Sequence, residues 1–257
     1  MSTFKDHFSS LATGYAAYRP EYPPELFEWL TGLCTEHELA WDCATGNGQA
    51  AKYIANHFEY VIATDASAEQ IAQAQGTENV VFRVASAEHS ELKKHSVDLL
   101  VVAQAVHWFD LDKFYAEALR VLKPNGIIAL ITYAHHRVNP EIDVPSLHYY
   151  HDVIGNYWPA ERKWVETGYR DLPFPFSEIK APEFKLEAQW SLTHFIGYQA
   201  TWSATKRYIE NTGHNPIPEL QAALSPLWGA PKKLRKIEWP LSLRVGRLAS
   251  THHELMN

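Results

Sequence analysis

Asp42, Gly46, Gly48 and Asp65 are the residues whose types and spacing most openly suggest chemistry. In the stretch AWDCATGNGQAAKY, residues 40–53, an acid closes an apolar run, two glycines follow, and a helix-compatible segment begins at once. Glycines at such a place allow positive φ and close approach of a ligand to backbone, and a helix start offers free N–H groups. As G-x-G-x-x-G/A the stretch matches at Gly46, Gly48 and Ala51, with Asp65 19 residues past Gly46, so a nicotinamide-dependent oxidoreductase is one reading. Asp42 opposes it, because a carboxylate there would repel a pyrophosphate at a cost of kilocalories in a dry pocket. A ligand carrying positive charge suits it better. S-adenosylmethionine brings an α-ammonium, a sulfonium and a ribose whose two hydroxyls suit Asp65. A protein that only holds that ligand, as a regulator without turnover, is a third reading.

These residues need a scaffold, and the first half of the chain supplies one. ELAWDCA, YVIATDA, NVVFRVA, VDLLVVAQA and GIIALITYA are short runs rich in Val, Ile and Leu, separated by helix-compatible segments. Strands alternating with helices predict a parallel sheet buried on both faces, which explains why LLVVA is continuous and not alternating. A doubly wound α/β sheet is the economical fold. Ser67 with Gln70 three residues on predicts a helix cap after the second strand, and LKPNG at 122–126 predicts a tight turn into the fifth. Later, EFKLEAQWSL and KIEWPLSLRVG alternate as edge strands do, the segment between them has helical spacing of Phe195, Tyr198, Trp202 and Tyr208, and a further helix is expected over 217–228.

Composition bounds the reading. The 257 residues are 46% hydrophobic, with no apolar run approaching the roughly 18 residues that would span a bilayer, so a globular protein without a membrane partner is expected. MSTFKDHFSS lacks the marks of a secretory signal, and two cysteines, Cys34 and Cys43, make no disulfide framework; a cytoplasmic setting is expected. A net charge of -7 argues against a general grip on nucleic acid, and PKKLRK at 231–236 reads as a solvated loop. The 14 histidines, in AHHR, HYYH and THH among others, come with no Cys or carboxylate at ligand spacing, so no metal is assigned.

Taken together, these ordered motifs resemble the class I S-adenosylmethionine-dependent methyltransferases, and within them the small-molecule branch that includes trans-aconitate methyltransferase-like proteins. The resemblance covers residues 4–133 well and the remainder more loosely. It implies a Rossmann-like, doubly wound, mostly parallel seven-stranded sheet with a helical cap, and S-adenosyl-L-methionine as the cofactor. On that resemblance Asp42, Gly46 and Gly48 form the first motif, with Ala44 where glycine is common, and Asp65, followed by Ala66, is the ribose-binding acid. ASAEH supplies Ser86, Ala87 and Glu88 on the adenine side. AQAVHWFD supplies Gln104, Ala105 and His107 beside the methionine part, and Trp108 beside the acceptor. YAAYRPEYP looks like an entrance segment, in which Tyr15 and Arg19 close over the cofactor. YQATWSA looks like the cap helix, placing Trp202 near the acceptor, with Tyr133 and Tyr198 as further acceptor contacts.

The expected organisation is a single methyltransferase domain over 1–257: an entrance segment and first helix over 1–38, a cofactor-binding core over 39–134, a cap over 135–230 with one late strand at 183–191, and a final strand at 236–247. Such an enzyme must align an acceptor behind an activated methyl and exclude water, which is worth roughly 7 to 11 kcal/mol by positioning. A carboxylate acceptor needs no base, whereas a phenol benefits from one such as His107 or His135. A small carboxylic acid, held by Arg19 or a histidine, is the favoured partner; a phenol or amine is the alternative. Oligomeric state is left open by the sequence.

Overall fold

The protein was analysed as a computed structural model that describes residues 18–248. Eight strands run in the spatial order β3-β2-β1-β4-β5-β8-β6, with β7 also on β8. They are β1 (Leu39–Cys43), β2 (Tyr60–Asp65), β3 (Val80–Val84), β4 (Val97–Ala103), β5 (Leu122–Tyr133), β6 (Ser177–Ile179), β7 (Lys185–Trp190) and β8 (Arg235–Arg247). The first five pair in parallel, and β8 is antiparallel to β5, β6 and β7. Chain order reverses direction across the sheet between β1 and β4, and the crevice at the strand ends there is where doubly wound folds bind ligands.

The expected Rossmann-like α/β sheet is present, with one strand more than the seven anticipated. The addition is β6, three residues that pair with the end of β8; so short a segment carries no periodicity to read. β8 explains the cap. Its second half, from Leu241, pairs with β5, while its first half, up to Pro240, pairs with β7, so one strand ties the parallel core to the later chain.

Strand burial follows position. All of β4 but Ala103 is buried, as LLVVA predicts, but β3 lies at the edge, with Val81 and Val84 exposed. The expectation that all five runs are covered on both faces fails at this edge strand, where Val81, Arg83 and Val84 are exposed. The turn read in LKPNG is folded into β5 as an irregularity: Leu122 pairs with Val97 and the next pairing is Ile127 with Leu99. Asn125 takes a left-handed φ of 66° to make it.

Helix α1 (Pro24–Gly32), α2 (Ala51–Ile54), α3 (Ala68–Gln73) and α4 (Leu111–Val121) cover the core. Ser67 caps α3 by accepting from the Gln70 amide, as its spacing predicts, and Asp110 caps α4. In α4, Phe114, Ala118 and Val121 recur at helical spacing and are fully buried, worth about 1.5–3 kcal/mol for a large side chain. Beyond β5 come α5 (Pro140–His148), α6 (Arg162–Glu166), α7 (Leu192–Ala200), α8 (Ser203–Thr212) and α9 (Ile217–Trp228). The run with continuous helical spacing around Trp202 is broken into α7 and α8, because Trp202 itself is extended (ψ 140°). Among the described residues no helix is long and apolar enough to cross a membrane.

Candidate active site

The glycine turn is built from backbone that only a few residues tolerate. Ala44, Gly46 and Gly48 have φ of 56°, 57° and 91°. At Gly48 an added Cβ would meet the Gln75 carbonyl oxygen and the Phe82 ring at 2.9 Å, so its glycine is required for packing as well as conformation. At Gly46 the nearest atom is Gln70 Oε1 at 3.8 Å. A Cβ at Gly46 would therefore meet no close contact, and the positive φ is what favours glycine there.

Two carboxylates hold this turn from different directions. Asp65, at the end of β2, accepts from the Gly46 amide through Oδ2 and from the Ser67 amide through Oδ1, both at 2.9 Å. These two amides orient both oxygens of the carboxylate at the end of β2. Asp42 lies beneath the turn, 1% exposed. Its Oδ2 takes the Thr45 hydroxyl, its Oδ1 has no partner, and burial pushes its carboxyl up to about 7, with the Thr45 hydroxyl and the Ala51 amide pulling the other way. A cation arriving above the turn would restore its charge, which fits an ammonium-bearing ligand and not a pyrophosphate.

The other strand ends bring up the remaining predicted residues. Ala87 is buried after β3, and Ser86 pairs with His89 across a tight turn. Glu88 accepts from the Asp110 amide at 3.1 Å, which ties this turn to the start of α4. Past β4, Gln104 takes a positive φ of 59°, donates weakly to the Tyr133 carbonyl and accepts from the Thr132 hydroxyl. Ala44 and Gln104 thus hold left-handed backbone at the ends of adjacent strands β1 and β4, a strain that persists only where the surroundings impose it. Ala105 is buried, and His107 and Trp108 sit half-buried on the 3-10 turn that follows. Ala66 is half-buried beside Asp65. Tyr15 lies outside the described residues.

His107 Nδ1 is 2.7 Å from the hydroxyl of Tyr169. Burial, with help from the nearby Arg162 charge, pushes the imidazole down to about 3, so it is neutral near pH 7. His135, after β5, behaves alike: its Nδ1 must donate to the His136 carbonyl, leaving Nε2 as a buried lone pair without a partner, and burial holds it down to about 4. Burial thus keeps both imidazoles neutral near pH 7.

Tyr133, Arg19 and Tyr198 are brought together. Arg19 Nη1 donates to the Tyr133 hydroxyl at 3.4 Å, and its guanidinium lies 5.4 Å from the Tyr198 ring centre. Trp202 is 5% exposed and packed on Tyr149, Tyr150, Trp158 and Tyr198; it organises the cap's aromatic cluster. The sequence reading missed Arg162 and Tyr169. Neither carries a motif, although Gly168 before Tyr169 hints at the left-handed pair found there, with φ of 62° at both. A groove of about 830 Å³ runs outside β8 between Lys180 and Glu187, and none of the predicted site residues lines it.

Against known proteins, the profile of the family described as methyltransferase domain matches residues 41–130. A Dictyostelium discoideum protein described as a candidate methyltransferase is 35% identical over 225 residues, covering 86% of each chain. An uncharacterised methyltransferase-like protein of Schizosaccharomyces pombe is 32% identical over 192 residues, 68% of this chain and 73% of that one. Among solved structures, a candidate type II methyltransferase from Anaeromyxobacter dehalogenans superposes with a TM-score of 0.84 at 43% identity, over 90% of this chain and 99% of the other.

Proposed function

The chain belongs to the class I S-adenosylmethionine-dependent methyltransferases, and on that premise we propose that its acceptor is a small carboxylic acid, converted to its methyl ester. What supports the reading is how the two histidines at the strand ends are held: His107 Nδ1 is engaged by the Tyr169 hydroxyl and His135 Nδ1 by the His136 carbonyl, and both rings are desolvated. A phenol or an ammonium must lose a proton to become a nucleophile, and a base works best with a pKa near the working pH. His107 at about 3 and His135 at about 4 are far too weak for that task, and Asp42, at about 7, lies buried beneath the turn. A carboxylate is already a nucleophile at pH 7.

The donor, when bound, supplies a methyl carbon activated by its sulfonium, so a carboxylate oxygen can take it while the carbon–sulfur electron pair stays on sulfur and no proton moves. The chain's part is to bind and align. In this reading Asp65 accepts the ribose hydroxyls, the Gly46 backbone lies against the methionine part, and Asp42 answers the ammonium charge from below. Neutral His107 and the rings of the cap border the acceptor and keep water out.

The test is a panel assay for S-adenosylhomocysteine release with small acids, phenols and amines. Turnover of an acid to an alkali-labile ester, with kcat nearly flat from about pH 6 to 9, is the expected result. Turnover confined to phenols or amines, with a rate that climbs through that range, would overturn the reading.

A further inference from the structure

One arginine of the cap is placed as if for an anion. Arg162, on α6, stacks its guanidinium over Trp158 with Cζ 4.6 Å from the ring centre, and it lies 5.5 Å from the centre of Tyr150. Its Nε donates to the Tyr150 hydroxyl at 2.8 Å, and that hydroxyl donates to Glu166 Oε1 at 3.0 Å. These contacts use the face of the guanidinium and its Nε. Among the described residues no hydrogen bond or ion pair reaches the two Nη groups. A guanidinium held by its face keeps its edge for in-plane, bidentate bonds to a carboxylate, a geometry an ammonium cannot reproduce.

Its location matches that chemistry. The Arg162 charge is felt at His107 after β4, at His135 after β5 and at Tyr198 on α7, so the guanidinium stands where the core's strand ends meet the cap. Around it are rings: His135 packs edge-on to Tyr150 at 4.8 Å, and Trp158 lies 5.7 Å from Trp202. Arg19, the holder expected from the sequence, is turned instead to the Tyr133 hydroxyl and the Tyr198 face.

We propose that Arg162, seated on Trp158 and fixed by Tyr150, is the residue that grips the carboxylate of the acceptor, and that the acceptor is a planar acid able to lie among the surrounding rings. This rests on the acid reading above and adds to it the residue and the shape. Arg162 here binds and orients substrate; no proton or bond changes at it.

Benzoate and its uncharged isostere benzamide separate the possibilities. Each is titrated, by tryptophan fluorescence and calorimetry, into protein saturated with S-adenosylhomocysteine. Wild type should bind benzoate saturably and benzamide far more weakly. Arg162→Met should weaken benzoate by about 30-fold or more, and Arg162→Lys by about 10-fold since it keeps charge but loses the fork, while S-adenosylhomocysteine affinity and circular dichroism stay as in wild type. Equal benzoate affinity in wild type and Arg162→Met overturns the proposal, as does an absence of saturable benzoate binding to wild type. If an acid is turned over with the same KM by wild type and Arg162→Met, the acid reading stands and Arg162 is the error. If benzoate binding depends on Arg162 but 4-hydroxybenzoate is methylated at its phenol, leaving an alkali-stable ether, the grip stands and the ester is the error.

Discussion

In the core, the carboxylates of Asp65, Asp98 and Glu117 are held by backbone amides and by charged or hydroxyl partners, and Asp42 Oδ1 is left over; in the cap, buried polar groups are surrounded by rings and several are left over. Asp65 takes two amides at 2.9 Å, Asp98 takes the Glu38 and Leu39 amides together with Lys123, and Glu117 is held by Ser90 and Arg120. Across the cap, the buried Nε2 of His135, Nδ1 of His136, Nε2 of His194 and Nε2 of Gln199 have no hydrogen-bond partner. Each unsatisfied group costs of order 1–3 kcal/mol, so a fold keeps them where something else is gained. On the proposed reading, the core turn serves the donor, whose chemistry is fixed, and the cap serves an acceptor that brings its own groups. Variants of the core turn should therefore move donor affinity and leave acceptor recognition alone.

The severest break of that division is Gly46→Val. Valine pays for both a φ of 57° and a side chain in the open space beside the turn, so donor binding should fall below detection by calorimetry while circular dichroism still reports a folded chain. A folded variant that binds S-adenosylmethionine normally would remove the turn from the donor site.

Asp65→Ala comes next. It takes a charged acceptor away from the ligand and frees the Gly46 and Ser67 amides that the carboxylate holds. Donor affinity should weaken by about 2–4 kcal/mol, with the acceptor KM at saturating donor unchanged. If KM for the acceptor rises instead, the two sites are not separable along this boundary.

Asp42 and the two histidines at the strand ends respond to pH with opposite sign. Asp42, raised from 3.8 to about 7, binds a proton in the folded chain that the unfolded chain has already released. Its contribution therefore falls as pH rises from about 4 to 7. His107 and His135, lowered from 6.5 to about 3 and about 4, do the reverse: the stability they allow is complete above pH 6.5 and is lost as pH falls toward those values. Asp42→Asn mimics the protonated acid and should remove the alkaline arm alone. Its gain over wild type in denaturant melts should grow by about 2–3 kcal/mol between about pH 5 and 8, and shrink when S-adenosylmethionine is added, because the ligand's positive charge favours ionised Asp42. A gain that is constant with pH would mean Asp42 is ionised at no cost.

What could be read from sequence follows the same boundary. The core's strands were legible because parallel pairing buries both faces and leaves continuous runs such as LLVVA, and because Ser67, Gly46 and Gly48 stand where caps and positive φ require them. The β3 edge escaped because VVFRV looks as apolar as its neighbours although Val81, Arg83 and Val84 are exposed there. In the cap, aromatic spacing announced helices but not the break at Trp202, which depends on one extended residue. Arg162 and Tyr169 could not be found from sequence, since stacking on Trp158 and a hydroxyl placed 2.7 Å from His107 are contacts between distant segments with no local pattern.

The smallest effect tests how far the turn itself is optimised. Ala44 stands where the resembling family commonly has glycine, and its φ of 56° is one that an L-residue with a Cβ adopts at a cost of about 1–2 kcal/mol. Glycine would relieve that strain but leave the unfolded chain freer, a loss of about 0.5–1 kcal/mol. The difference sets the expectation: Ala44→Gly should stabilise the protein by up to about 1 kcal/mol in denaturant melts. Gln104, left-handed at the neighbouring strand end, shares hydrogen bonds with Thr132 and Tyr133 that anchor its conformation, and Gln104→Gly, which loses them, should gain nothing. Because both substitutions relax φ but only one severs side-chain bonds, a stabilised Gln104→Gly or a destabilised Ala44→Gly would mean that the strain at these strand ends is not what distinguishes them.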